Sequence, residues 1–88
     1  MSEATTTTNH EVIRNWAEAR GGRPARVRQA EGGSDLLRID FDPPEVSLEE
    51  IGWDRFFEVF EAQKLAFLHQ DLTEDGQPSR FNKFVDQD

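Results

Sequence analysis

The sequence contains no cysteine and no tyrosine, and it has a single methionine. Without cysteine there is no disulfide bond, no thiolate ligand for zinc and no cysteine nucleophile. The chain also lacks an apolar run of the ~18 residues that a membrane-spanning helix needs, and its first residues lack the basic and apolar segments of a secretory signal peptide. These absences predict a cytoplasmic protein with no membrane contact.

Positive charge is scarce as well. Ten lysines and arginines stand against eighteen aspartates and glutamates, which gives a net charge of −8 at pH 7. Such a surplus disfavours nucleic acid as a partner of the whole chain. The exception is a basic segment without acidic residues, which contains Arg20, Arg23, Arg26 and Arg28. Guanidinium groups bind phosphates and carboxylates in bidentate fashion, so these four arginines form a candidate anion-binding site. A solvated strand face is the alternative, because no aromatic residue alternates with the arginines to stack on bases.

The first part of the chain predicts a tail followed by a helix. Residues 1-8 are polar and threonine-rich, which is typical of a disordered N-terminal tail, and residues 9-85 are expected to form a single domain. Thr8 and Glu11 have the spacing of a capping box, so Thr8 is expected to be the N-cap. The glycine pair that begins at Gly21 is expected to end this helix.

Two segments of period-two alternation predict a hairpin over residues 25–30 and 36–41, with a turn between them. The first strand is expected to place Ala25, Val27 and Gln29 on one face and Arg26 and Arg28 on the other. The second is expected to place Leu37, Ile39 and Phe41 inward, and Arg38 and Asp40 outward. Pairing of Arg26 or Arg28 with Asp40 across the outer face follows from this arrangement.

A second helix is predicted to begin at Trp53 with Gly52 as its N-cap. A start at Ser47 is the alternative, because Ser47 and Glu50 also fit a capping box; otherwise the residues before Gly52 form an entry segment that packs on the core. Residues 65–70 are the most apolar strand candidate and are expected to be central in the sheet. Residues 80–85 are predicted to be the last strand, with a short helix as the alternative.

This order predicts an α+β fold of the type αββαββ, in which two helices pack on one face of a four-stranded antiparallel sheet. Trp53, Phe56, Phe57 and Phe60 follow the i, i+3, i+4, i+7 spacing of one helical stripe. We interpret the stripe as core buried beneath the sheet, since a small domain needs these rings inside. A cofactor or peptide groove is the alternative, and rings that line an open hollow together with ionisable residues would indicate it.

No motif in the sequence predicts a catalytic, cofactor or metal site. An EF-hand loop beginning at Asp71 would need a glutamate at its last position, where Asn82 stands. His10 and His69 are far apart in the chain and have no third ligand in pattern. His69 and Asp71 share a strand face as an acid–base pair would, and a cavity that also included Arg80 would favour a small enzyme.

Several strings together resemble a family of small uncharacterised bacterial proteins. They are Trp16-Ala-Glu-Ala-Arg-Gly-Gly-Arg-Pro-Ala25, Leu37-Arg-Ile-Asp-Phe41, Ile51-Gly-Trp-Asp54, Phe56-Phe57, Leu65-Ala-Phe-Leu68 and Ser79-Arg-Phe81. Some relatives in this family are labelled glucan branching enzymes. Branching enzymes resemble barrel glycosidases with paired carboxylates, and 88 residues do not suffice for such a barrel. The resemblance therefore implies a stand-alone cytoplasmic domain, in which relatives carry serine at Gly52 and tyrosine at His69.

The sequence thus favours a non-enzymatic protein-interaction or regulatory module with no cofactor and an unidentified protein partner. A binder of an anionic ligand or nucleic acid that uses the basic segment is the alternative function.

Overall fold

The computed structural model describes residues 3–28 and 35–87, which form two helices and six strands. The elements in chain order are β1 Thr5–Thr7, α1 His10–Ala19, β2 Arg23–Val27, β3 Leu37–Asp40, β4 Leu48–Glu50, α2 Trp53–Ala62, β5 Leu65–His69 and β6 Asn82–Asp86. The strands form two antiparallel three-stranded sheets with the orders β1-β5-β6 and β3-β2-β4. The mixed α+β class is confirmed, whereas the single four-stranded sheet of an αββαββ fold was wrong.

The first sheet combines two predicted strands with one that lies in the predicted tail. β5 is central, as expected for the most apolar strand, and it pairs with β6 from Leu65 opposite Asp86 to His69 opposite Asn82. The strand prediction for the last segment is therefore confirmed, and the alternative short helix does not form. Thr5–Thr7, within the segment predicted as a tail, pairs with β5 on its other side.

The second sheet has β2 at its centre. β4 pairs with β2 and lies in the ambiguous segment before Gly52, where the start of a helix at Ser47 was the alternative. The register places Arg26 opposite Leu37 and Pro24 opposite Ile39. Since directly opposed residues share a face, Arg26 lies on the core side of the sheet with Leu37 and Ile39. The expected facing of Ala25 and Val27 toward the Leu37 side was therefore wrong. The predicted strand residues Gln29 and Ala30 and most of the predicted turn at 31–35 lie outside the described residues.

Asp40 also differs from expectation. It was predicted to face solvent opposite Arg26 or Arg28, but only 5% of its surface is exposed and the register places it opposite Arg23. Its Oδ1 accepts a hydrogen bond from the backbone N–H of Glu45 at 3.2 Å. Asp40 thus anchors the loop that follows β3, which explains the burial of a charged residue.

The N-cap of helix α1 lies one residue later than predicted. Asn9 is the N-cap, and its side-chain oxygen accepts a hydrogen bond from the Val12 backbone N–H at 3.1 Å. The helix ends as predicted before Gly21, which has a φ of 72°. At this left-handed position glycine avoids the Cβ clash that other residues suffer.

Helix α2 begins at Trp53 with Gly52 as its N-cap, as predicted. Its residues Phe56 and Phe60 are completely buried, and they join buried residues of α1 and of both sheets in one hydrophobic cluster. The buried members are Ile13, Trp16, Ala17, Leu37, Ile39, Phe56, Val59, Phe60 and Phe67. Full burial of one such phenyl ring stabilises the fold by about 1.5–3 kcal/mol. The core thus joins the two sheets through α2.

Candidate functional site

Arg20, the first residue of the candidate anion site, is held by the fold. Its guanidinium donates hydrogen bonds to the backbone carbonyls of Ser79 at 2.5 Å, Trp16 at 3.0 Å and Asp71 at 2.8 Å. It also lies 4.3 Å from the centre of the Trp16 ring. Burial lowers the pKa of Arg20 from its ordinary value, and the negative charge of Asp71 opposes this shift. Arg20 therefore connects the end of α1 to the loop between β5 and β6.

Arg23 is surrounded by carboxylates. Its Nη1 donates to Asp42 Oδ1 at 3.0 Å, while Asp40 Oδ2 and Glu50 Oε1 each lie 4.0 Å from other nitrogens of the same guanidinium. Because three carboxylates of the chain already surround this cation, an external anion would have to compete with them.

Arg26 and Arg28 are also engaged within the second sheet. Arg26 contacts Glu49 Oε1 at 2.6 Å and Asp35 Oδ1 at 3.1 Å, and the hydrogen bond to Glu49 is the main cause that raises the pKa of Arg26. Arg28 donates to the carbonyls of Val46 at 3.1 Å and Leu48 at 3.0 Å. These contacts replace the predicted pairing of Arg26 or Arg28 with Asp40.

Two of the four predicted arginines line one surface groove. Arg23 and Arg28 line a groove of about 450 Å³ on the outer side of the second sheet, together with the carboxylates of Asp40, Glu45 and Glu50. Within the described residues, these carboxylates outnumber the two guanidinium groups.

A different groove lies between α1 and the first turns of α2, and we call it the helix groove. It has a volume of about 470 Å³ and is lined by His10, Glu11, Arg14, Asn15, Glu18, Trp53, Asp54 and Phe57. Trp53 and Phe57 belong to the predicted aromatic stripe. The stripe is thus divided: Phe56 and Phe60 are core, as predicted, whereas Trp53 and Phe57 are partly exposed and line an open groove with ionisable residues. These two rings pack against the core cluster but are only partly buried, so the predicted full burial does not hold for them.

Three rings are stacked in the wall of the helix groove. The His10 ring lies 4.1 Å from the Phe57 ring with an interplanar angle of 4°, and Trp53 lies 5.3 Å from Phe57 with an angle of 19°. His10 is held in place by Glu61, whose Oε2 lies 2.7 Å from its Nε2. The groove therefore has a fixed aromatic wall built from both helices.

The helix groove is also acidic. Glu11, Glu18 and Asp54 line it, while Arg14 is bound to Glu18 at 3.2 Å. Glu11 and Asp54 each lie in the first turn of a helix, where the helix dipole favours a carboxylate.

The position of Val59 in the sequence indicates which side of α2 is buried, and therefore which aromatic residues lie nearer the surface. At about 100° per residue, Val59 and Phe60 lie on either side of Phe56 on the helical wheel, whereas Phe57 lies about 100° away. Phe57 therefore lies at the margin of an apolar face centred near Phe56, whereas Trp53, about 60° from Phe56, is no farther from that centre than the buried Val59. The partner wall from α1 carries no comparable signal, because the approach of the two helices depends on the tertiary fold.

The residues considered for a small enzyme do not converge. His69 is 7% exposed and packs against Trp16 and Phe67, with its Nδ1 3.8 Å from Asp71 Oδ1 and without a hydrogen-bond partner. Burial lowers the pKa of His69, with Arg20 acting in the same direction and Asp71 opposing. Arg80 lies instead over the ring of Phe41 at 5.1 Å.

Residues 3–28 and 35–87 contain no cluster of three or more histidine and carboxylate side chains placed to hold a metal ion. In the same part of the chain, neither helix has the length and apolar content needed to cross a bilayer. The sequence matches no protein-family model, and searches of curated proteins and of solved structures find no match either.

Proposed function

We propose that the protein is a non-enzymatic protein-interaction module and that the helix groove is its binding surface. The observation that carries the proposal is the partial exposure of Trp53 and Phe57 in a groove lined by charged side chains. Aromatic residues are enriched in the centres of protein interfaces, where their large rings fill pockets and their edges reach polar groups.

The rigidity of the groove wall supports the same function. His10, Phe57 and Trp53 are stacked on one another, and Phe57 also contacts the buried rings of Phe56 and Phe60 at 5.2 and 6.2 Å. Rings held in this way lose little conformational entropy when a partner binds, which favours affinity.

Partner capture with matched arginine variants tests the proposal. Asn15 is an exposed residue of the groove, and Gln77 is an exposed residue of the loop between β5 and β6. Asn15→Arg and Gln77→Arg add the same charge, but only the first places a long side chain in the groove. With each immobilised chain incubated in lysate of the source cell, we expect one protein to be retained by the wild type and by Gln77→Arg. Its recovery with Asn15→Arg should fall by about tenfold or more, as for the loss of an interface hot spot.

Circular dichroism on both variants checks that the fold is retained. Equal recovery of the same protein with Asn15→Arg and with Gln77→Arg would place the binding surface elsewhere. Retention of no protein by the wild type at any salt concentration would contradict an interaction module altogether.

Anion binding through Arg20, Arg23, Arg26 and Arg28 ranks second, because each of these guanidiniums already contacts an acceptor of the chain. Titration of a labelled oligonucleotide or of inorganic phosphate at two salt concentrations decides this alternative. Binding at low salt that disappears in Arg23→Gln and Arg28→Gln would favour it over the helix groove.

A further inference from the structure

We infer that the helix groove takes a basic segment of the partner protein, with an arginine or lysine side chain against the ring of Trp53. This inference rests on the proposed function and names the chemical class of its partner.

Charge complementarity is the first argument. Of the three carboxylates in the groove, Glu18 is bound to Arg14 at 3.2 Å. Within the described residues, Glu11 and Asp54 have no cationic neighbour at ion-pair distance, and both are exposed. A basic segment that lies along the groove would meet both carboxylates, and the net charge of −8 of the whole chain attracts such a segment at long range.

The aromatic wall is the second argument. Cations bind the faces of tryptophan and phenylalanine rings, and arginine in particular stacks on them. The chain itself contains this contact, because the guanidinium of Arg20 lies 4.3 Å from the centre of the Trp16 ring. A partner's arginine in the helix groove would repeat that arrangement with Trp53, and the carboxylates that line the groove would accept hydrogen bonds from the basic segment.

The indole N–H groups of the two tryptophans differ in a way that supports this occupant. Trp16 Nε1 donates to the carbonyl of Gln70 at 3.1 Å. For Trp53 no acceptor is found among the described residues, so its N–H is left to solvent or to a backbone carbonyl of the bound segment.

Other partner classes fit the groove less well. An acidic segment or a nucleic acid would be repelled by Glu11 and Asp54. A purely apolar segment would remove these carboxylates from water without giving them a hydrogen-bond donor, which is costly. In a basic segment, the aliphatic stem of a lysine or arginine packs against the rings while its cationic end pairs with the carboxylates.

Nuclear magnetic resonance on the full chain tests the inference, because its two tryptophans give two indole N–H signals. The probes are short blocked peptides of equal length in which alanine alternates with arginine, lysine, glutamine or glutamate. We expect the arginine and lysine peptides to shift the Trp53 signal in a saturable way and to leave the Trp16 signal in place. Binding of the glutamine peptide should be at least about threefold weaker, and the glutamate peptide should cause no shift.

Matched variants then test the carboxylates. Glu11→Gln and Asp54→Asn should each weaken binding of the arginine peptide about two- to fivefold. Glu74→Gln makes the same formal change at an exposed position outside the groove and should leave the affinity unchanged.

The outcomes separate this inference from the proposed function. Equal shifts of Trp53 with the glutamine and arginine peptides would refute the basic partner while leaving a protein-binding groove. Equal affinities for Glu11→Gln, Asp54→Asn and Glu74→Gln would refute the role of the carboxylates, and so would the absence of any Trp53 shift. The proposed function itself is judged separately, by partner capture with Asn15→Arg.

Discussion

At the scale of single residues, Gly22 shows how the absence of a side chain sets the distance between α1 and β3. A Cβ atom at this position would lie 2.6 Å from Ile39 Cγ2 and 3.0 Å from Phe41 Cε1. The backbone N–H of Gly22 also donates to the Ala17 carbonyl at 2.8 Å, which holds it in place. The residue therefore permits a close approach of the helix end to two core side chains.

We expect Gly22→Ala to lower the free energy of unfolding by about 1–3 kcal/mol, because the added methyl group forces Ile39 and Phe41 to move in a packed core. Urea denaturation followed by tryptophan fluorescence measures the change. Gly52→Ser is the control, since a Cβ atom there meets no atom within 4 Å and serine is at least as favourable as glycine at an N-cap. Losses of the same size in both variants would show that the contacts of Gly22 are not the cause.

The hydrogen-bond partners of the arginines could not be predicted from the sequence. The sequence identified the four arginines of the basic segment, but it could not show that backbone carbonyls of Ser79 and Asp71 would bind Arg20. Such acceptors are present at every residue, so only the fold determines which of them a guanidinium reaches. For the same reason, the charge of a segment alone did not indicate which residues line a groove.

At the scale of elements, the start of α1 allows a direct test between two neighbouring caps. Asn9→Ala should lower the free energy of unfolding by about 0.5–2 kcal/mol, because the Val12 N–H loses its side-chain acceptor. Thr8→Ala should cost much less, since Thr8 is exposed and outside the helix. Thermal unfolding followed by circular dichroism compares the two. A larger loss of stability for Thr8→Ala than for Asn9→Ala would instead indicate that Thr8 is the N-cap, as the sequence predicts.

The helices were easier to predict than the sheets. Each helix has an apolar stripe over several turns and a recognisable end, so α2 begins at Trp53 as expected. β1 and β4 have three residues each, which is too short to show a period of two. Without them the strand count was four, and a single sheet followed.

The facing of β2 depended on register, which the sequence left undetermined. A shift of one residue moves every side chain of a strand to the opposite face. The alternation in β2 is weak, since Ala25 is small and Arg26 has a long aliphatic stem, so either residue can be accommodated on the apolar face of a sheet. The sequence pattern therefore could not show that Arg26 lies on the core side, where it pairs with Glu49 and Asp35.

At the scale of the whole molecule, the shared core and the net charge determine how stability depends on pH. Both sheets contribute to one hydrophobic cluster, so a buried group anywhere in it affects the unfolding of the whole domain. Acidification also reduces the magnitude of the net negative charge, which is −8 at pH 7, because carboxylates bind protons. It thereby reduces repulsion within the folded chain. The effect of one titrating group must therefore be measured as a difference between variants.

His69 is such a group, because burial lowers its pKa below the ordinary value of 6.5 in the folded state. Above that value the histidine is neutral in both states and contributes no pH dependence. As the pH falls below it, the unfolded chain binds a proton that the folded chain does not, so the free energy of unfolding decreases until the lowered pKa is reached. The shift of Asp75, whose pKa a hydrogen bond from Thr73 lowers from 3.8, acts in a more acidic range.

Replacement of His69 should remove this pH dependence. We expect the free energy of unfolding of His69→Gln to fall less than that of the wild type between about pH 7 and pH 5, whatever its value at neutral pH. Urea denaturation at a series of pH values gives both curves. His10→Gln is the matched control, since it removes the other histidine of the chain while the titration of His69 remains, and its curve should retain the slope due to His69. Parallel curves for the wild type and His69→Gln would mean that His69 binds protons equally in the folded and unfolded states, contrary to its burial against Trp16 and Phe67.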